Sequence, residues 1–409
     1  MEWTGAPAPP PPPPPLPPYV PRGPEQKPSP DEVPKPPPPG SCGIGIETEF
    51  LLRARAKPPA DETFRLFARR CAAAYNEQVP AQFPRMHSLV QAQWQGIPYT
   101  QWVLHHDPTC ETQAEPWGIE LISPLLRDFP GSVWREDVMA VWDFLARHYY
   151  VSGDKNCSTH VHISRAGTFS ATDLKRVAQA VIYFEPAFEA ILPPDRRANE
   201  YTRSNWIDNP NFGYKNLSRD QAIEIIEGLN TVEEVMDTMN PNQSKYFGWN
   251  FISVKKFNTI EFRRGSVSLS PEDVFMWVEL AMSFIRAAMA VQSKDQFQQY
   301  SPTVGGLRNF LRHYEEPEKP HEHHLPNLSG FKESVKHPHL PGQEETRAKY
   351  PSYLDRLFTG KSEDARDNPI PVGNLTPEKQ SKLRRKIEAD SVSNPVLDMV
   401  ASAQEDRVI

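Results

Sequence analysis

Four short segments of this 409-residue chain carry ionisable side chains at spacings that could bring them into one reaction space. They are Gly43 to Phe50 (GIGIETEF), Trp117 to Pro124 (WGIELISP), Ser158 to Ser164 (STHVHIS) and Thr259 to Arg264 (TIEFRR). Each has the pattern of a β-strand, in which residues two apart share a face. Glu47 and Glu49 then point the same way, as do His160 and His162, and Glu261 and Arg263. Ile46, Val161, Ile163, Ile260 and Phe262 point the other way, into a core. A sheet built so would have one apolar face and one face of carboxylates, imidazoles and a guanidinium, suited to chemistry on phosphate and metal.

Suppose Glu47, Glu49, Glu120 and Glu261 converge. Two carboxylates about 5 Å apart repel by roughly 3 kcal/mol at an effective dielectric of about 20. Four cannot all stay charged without cations. Several carboxylates with one or two imidazoles and no clustered thiolate favour hard divalent ions, Mg²⁺ or Mn²⁺. Arg263 beside Glu261 would hold a transferring phosphate. The sum is an ATP site with two or three metals. Taken singly the segments say less. A lone Glu-X-Glu is more often a solvated edge, although the buried-looking flank Gly43 to Ile46 argues otherwise here. His-X-His fits zinc, a nucleotide contact or two surface histidines. Glu261 and Arg263 alone suit a strand ion pair, and Glu120 alone says almost nothing. The signal lies in all four, in this order.

Helical periodicity supplies the elements that would hold these strands. Asp61 to Gln78 carries Phe64, Phe67, Cys71 and Tyr75 on one stripe. Arg135 to Tyr149 carries Val138, Val141, Trp142 and Leu145, with Gly153 as its stop. A third helix starts near Thr172 with Leu174, Val177, Val181 and Ile182, and Pro186 should kink or end it. Ser218 followed by Gln221 is a capping box ahead of Ile225, Ile226 and Leu229. Ser270, Pro271 and Asp273 open a fifth helix, with Val274, Trp277, Val278, Ala281, Met282 and Ile285 as its stripe. Strands and helices mix without βαβ repetition, which predicts an α+β fold with a largely antiparallel, curved sheet.

Composition bounds the rest. Of 45 prolines, 19 fall in the first forty residues, including the run Pro9 to Pro15. That stretch predicts a solvated polyproline II arm over 1–41. From about Gln299 onward apolar periodicity gives way to Pro, His, Lys and Glu, with Tyr353 to Phe358 as a short apolar interruption that cannot form a core alone. The expected organisation is an arm over 1–41, a catalytic domain over 42–314, and a mostly disordered polar tail with short helical pieces over 315–409. A net charge of −7 argues against nucleic acid as a partner. The basic cluster Lys382 to Lys386 suits a solvated helix face. The most apolar stretch, Met276 to Val291, holds Glu279 and Arg286, as a core helix would, so no membrane partner is expected. Prolines stand where a signal peptide would need an apolar run. Four cysteines without paired spacing suggest free thiols and a cytoplasmic location, with the nucleus left open.

The order Gly-Ile-Glu-Thr-Glu-Phe, Ile-Glu-Leu-Ile-Ser-Pro, His-Val-His-Ile-Ser, Thr-Ile-Glu-Phe-Arg resembles the amidoligase family. That family is a branch of the glutamine synthetase and carboxylate–amine ligase superfamily, of a type common in fungi. The likeness runs from about Cys42 to Val291. Trp102 to Thr109 resembles a family Trp-then-Asp segment, with Asp107 at the Asp. Arg196 to Tyr201 resembles an Arg-x-x-Asn-x-Tyr segment, and Asn250 precedes the last strand at the expected distance. The resemblance implies a glutamine-synthetase-like half-funnel, a curved antiparallel sheet with helices on its outer face. It implies Glu47, His160 and Glu261 as ligands of one metal, and Glu49 and Glu120 as ligands of a second. It implies His162 as a nucleotide-side contact and Arg263 as the phosphate-binding arginine. Arg197, Asn199 and Tyr201 would lie at the substrate mouth. Three departures stand out. Ser158 replaces a glycine common in the family two residues before the first His, Pro108 follows Asp107, and no second carboxylate accompanies Glu120 unless Glu111 or Glu115 supplies it.

The expected activity is an ATP-dependent, Mg²⁺- or Mn²⁺-dependent ligase that joins a carboxylate to an amine through an acyl phosphate, with Asp107 as candidate base. Its substrates would be small-molecule or peptide carboxylates and amines. The arginines Arg196, Arg197 and Arg203 favour a carboxylated substrate. Two other readings fit parts of the sequence. One is a zinc hydrolase using His160, His162 and Glu261. The other is a non-catalytic scaffold whose residues 9–18 bind a Pro-recognition domain, with a solvated spacer as the plainer account of that arm.

Overall fold

The computed structural model describes residues 41–315 except 60, 61, 90–98, 107–111, 113, 130, 194, 195, 197, 198, 214 and 216, together with 352–359. Residues 1–40 of the expected arm over 1–41 and most of the expected tail lie outside these residues, as do Asp107, Glu111 and Arg197.

The strands are β1 (Cys42–Ala54), β2 (Met86–Leu89), β3 (Trp102–His105), β4 (Trp117–Ile122), β5 (Leu126–Asp128), β6 (Tyr149–Ser152), β7 (Ser158–Arg165), β8 (Trp249–Asn250) and β9 (Ile260–Ser266). They form one open sheet in the order β2-β3-β4-β1-β7-β9-β8, with β5 and β6 also pairing with β1. Every pair is antiparallel except β2 with β3. The helices are α1 (Phe64–Gln78), α2 (Trp134–His148), α3 (Ala171–Ile191), α4 (Pro210–Gly213), α5 (Arg219–Glu227), α6 (Val232–Met239), α7 (Ser253–Phe257), α8 (Pro271–Ala290), α9 (Val304–Glu315) and α10 (Asp355–Phe358). The α+β class and the antiparallel sheet agree with the sequence reading. No described helix is long and apolar enough to cross a membrane.

Period-two alternation makes β1 the keel of the molecule. Its even positions Ile44, Ile46, Phe50 and Leu52 are buried, in one core with Val177, Phe188, Trp277 and Phe284 of α3 and α8. Its odd positions Gly43, Gly45, Glu47 and Glu49 therefore take the opposite face. α8 begins at the cap read from the sequence, Ser270 with Pro271, whereas α3 begins at a capping box that the sequence reading passed over, Ser170 with Asp173. The Ser218 and Gln221 capping box on α5 is also present.

Three expectations need correction, and a fourth is extended. Pro186 does not end α3, which runs on to Ile191. An interior proline costs the helix about 3 kcal/mol, but residues Arg176 to Phe188 are all buried and packing outweighs the loss. Gly153 is not the stop of α2. That helix ends at His148 and the chain passes directly into β6, whose pairing with β1 claims Tyr149 to Ser152. Apolar periodicity does not fail at Gln299, because α9 buries Leu307, Phe310 and Leu311. The short patch near residue 353 is part of the main core: Leu354, Leu357 and Phe358 are buried in it. Glu279 of α8 receives the backbone N–H groups of Tyr353 and Leu354 and the Ser352 hydroxyl, and pairs with Arg135 at 3.0 Å.

Candidate active site

Register places the chemistry. Glu47 stands opposite His160 across β1 and β7, and Glu49 stands opposite Glu120 across β1 and β4. His162 stands opposite Glu261 across β7 and β9, and Asn250 opposite the same Glu261 across β8 and β9. The pairing of β7 with β9 shifts at one point: Thr159 pairs with Gly265 but Val161 with Phe262. His160 therefore faces two consecutive arginines, Arg263 and Arg264, in a β-bulge. Arg263 bonds to Glu261 on the acidic face. Arg264 turns to the helix layer, where it is fully buried against Glu185 and lies 3.3 Å from Glu189.

One oxygen or nitrogen from each of Glu47, His160 and Glu261 lies within 4.8 Å of the others. Nδ1 of His160 is 3.4 Å from Oε2 of Glu47 and 3.9 Å from Oε1 of Glu261. Nε2 of His162 is 3.3 Å from Oε1 of Glu47 and 3.7 Å from Oε1 of Glu261. Two carboxylates and imidazole nitrogen with no thiolate fit a hard divalent ion, and the residues present suit that group.

Neighbours aim two of these side chains, Glu261 and His162. Asn250 donates to Oε2 of Glu261 at 2.6 Å, and Ser253 Oγ donates to the same oxygen at 3.3 Å. Asn258 ends α7 in a left-handed conformation (φ 54°) and turns the chain toward β9. That turn brings Thr259 Oγ1 within 3.1 Å of Nδ1 of His162, which leaves Nε2 facing the carboxylates. Arg196, buried, donates to the backbone oxygen of Arg263 at 3.2 Å.

The two histidines titrate in opposite directions. Burial and the Arg263 charge bring His160 down to about 4. Burial also opposes the charge of His162, but Glu261 and Glu47 together overcome it and raise that imidazole to about 8. Burial would raise both carboxyls as well. The charges of Arg263 and His162 instead hold Glu261 at about 2, and chiefly the charge of His162 holds Glu47 well below the usual carboxylate range.

The remaining predicted residues fall into three groups. Glu49 and Glu120 are neighbours on the same face but outside the three-residue cluster. Glu49 accepts from Ser158 at 2.6 Å, and Glu120 lies 3.4 Å from His105. Asn199 caps a short 3₁₀ turn at Glu200–Thr202, and Tyr201 is half exposed, edge-on to Tyr246 at 5.7 Å. Glu115 accepts from the Ala54 backbone N–H, a strand-end contact rather than a place beside Glu120. Sequence reasoning undervalued Asn250, Ser253, Thr259 and His105. Only Asn250 left a signal, through its distance from Glu261.

The family model described as "Putative amidoligase enzyme" matches residues 42–285. Comparison with curated proteins gives no match.

Proposed function

This chain belongs to the amidoligase family, and from that premise we propose that it is an ATP-dependent carboxylate–amine ligase of the glutamine-synthetase-like class. The observation that carries the reading is the meeting of Glu47, His160 and Glu261 with Arg263 on one face of an open antiparallel sheet. A carboxylate is a poor electrophile because its leaving group would be oxide. In the proposed reaction a substrate carboxylate oxygen attacks the γ-phosphorus of ATP, the bridging P–O bond breaks, and ADP leaves. An amine nitrogen then attacks the acyl carbon of the acyl phosphate. The C–O bond to phosphate breaks, and the amine gives up a proton as the amide forms.

The protein's part is position and charge. Glu47, His160 and Glu261 would hold Mg²⁺ or Mn²⁺, which supplies charge neutralisation at the phosphate oxygens. Arg263, fixed by Glu261, donates to those oxygens as charge develops. We assign Glu49 and Glu120 to a second ion, His162 to the nucleotide side, and Asp107 to the proton transfer. Arg197, Asn199 and Tyr201 are proposed contacts to small-molecule or peptide carboxylate and amine substrates. Residues 9–18 are proposed as a ligand for a proline-recognition domain, and the cytoplasm as the location.

The test is ADP release with Mg²⁺, screened across carboxylates paired with amines. Wild type should release ADP only with both substrates, and Glu261→Gln should abolish it. Tightly bound zinc with hydrolysis indifferent to ATP would instead assign His160, His162 and Glu261 to a hydrolase.

A further inference from the structure

We propose that Ser158 is a positioning residue that keeps the proton of His160 on Nε2, so that Nδ1 enters the acidic cluster as a bare ligand nitrogen. The inference rests on the metal-binding reading of that cluster.

Ser158 opens β7 and is buried. Its Oγ lies 2.6 Å from Oε2 of Glu49 and 2.9 Å from Nε2 of His160. A hydroxyl has one hydrogen to give, and a carboxylate can only accept. If that hydrogen faced the imidazole, two oxygens would meet at 2.6 Å with no proton between them. Ser158 therefore donates to Glu49, and its lone pair accepts from Nε2–H of His160. A neutral imidazole carries one N–H, so Nδ1 is left with its lone pair.

The distances on the other side of the ring agree. Nδ1 is 3.4 Å from Glu47 and 3.9 Å from Glu261, longer than a good N–H···O hydrogen bond. Those spacings suit atoms sharing one cation. The opposite tautomer would gain a single long contact to Glu47 and lose the short Ser158 to Glu49 bond. His162 is addressed through its other nitrogen, since Thr259 takes Nδ1 and leaves Nε2 toward the carboxylates. Ser158 also ties His160 to Glu49, so one hydroxyl bridges the two acidic sets. A partner that orients a ligating histidine commonly governs metal affinity by about ten- to a hundredfold.

The experiment uses the full chain. Mn²⁺ affinity is measured by paramagnetic resonance of the free ion, and ¹⁵N spectra of histidine-labelled, metal-free protein report the tautomer. Ser158→Ala should weaken Mn²⁺ binding about ten- to a hundredfold and move His160 to a mixture of tautomers. Ser158→Thr, which keeps the hydroxyl, should restore both; if the alanine variant does not fold, Ser158→Gly, which also lacks the hydroxyl, makes the same test. Glu261→Gln tests the parent reading. If wild type binds Mn²⁺ and Glu261→Gln does not, while Ser158→Ala binds like wild type with His160 unchanged, the role of Ser158 is overturned and the metal site stands. If wild type takes up no Mn²⁺, the metal reading falls and the positioning role of Ser158 with it.

Discussion

Glu47 and His162 are not register partners, yet Oε1 of Glu47 lies 3.3 Å from Nε2 of His162. The residue opposite His162 on β1 is Gly45, and Glu47 stands opposite His160. The diagonal contact runs past a position with no side chain. A Cβ at Gly45 would already come within 3.2 Å of the His162 Cβ. One carboxylate thus reaches two imidazoles that differ in protonation at neutral pH.

This contact sets a pH dependence for the metal-free protein. His162 binds its proton more tightly when folded, at about 8 against an ordinary 6.5. Its contribution, about 2 kcal/mol, is complete below pH 6.5 and is lost as pH rises through 8. His160 has the opposite sign: at about 4 when folded, it contributes above pH 6.5 and loses that contribution as pH falls toward 4. Urea unfolding should therefore show the His162 contribution fading between pH 6.5 and 9. In His162→Gln that alkaline decline should flatten. A decline of the same size in the variant would refute the assignment.

Asn250 aims Glu261 through a 2.6 Å hydrogen bond. Asn250→Ala should weaken Mg²⁺ or Mn²⁺ binding about ten- to a hundredfold, as the loss of an outer partner usually does. Asn250→Asp should be worse, because a second carboxylate would face Oε2. Calorimetric titration of the metal decides, and equal affinities across the three proteins would remove Asn250 from the site.

Arg263 should be irreplaceable by lysine. A guanidinium can bond to Glu261 and still present further donors to a phosphate, and an ammonium cannot reproduce that fork. Arg263→Lys should cut ADP release by about a hundredfold or more, the scale of a lost charge-stabilising donor. Its melting temperature should stay close to wild type. Activity within a few-fold of wild type would place the phosphate elsewhere.

Arg264 and Glu185 are both fully buried, and neither can lose its partner cheaply. Arg264→Ala should destabilise the protein by about 3–5 kcal/mol, because Glu185 is left unpaired in the core. Arg264→Met combined with Glu185→Leu should recover most of that loss. Denaturant midpoints of the single and double variants measure it; additive losses would mean that the two side chains do not act as a pair.

Much of this was legible in the sequence because strands repeat every two residues and helix caps have a chemical signature. Glu47, His160, Glu261 and Arg263 declare themselves by type and spacing, and Ser218 and Ser270 by the residues three positions on. Other features leave no local trace. The two residues of β8 are too few for a period, so the bond from Asn250 to Glu261 depends on a pairing visible only in space. Pro186 carries a local signal that burial overrides. Leu354, Leu357 and Phe358 look too few to matter until Glu279, some seventy-five residues earlier, is seen capping their backbone. The diagonal from Glu47 to His162 follows from a glycine whose significance is the absence of a side chain.

The extra residue in β9 opposite His160 has an evolutionary corollary. Inserting one amino acid between Phe262 and Arg263 would exchange the fates of two neighbouring cations, sending the one assigned to the phosphate inward and the one that holds the scaffold outward. Selection for a folded molecule and selection for a working one therefore police the same pair of codons, and length changes there should be purged twice over.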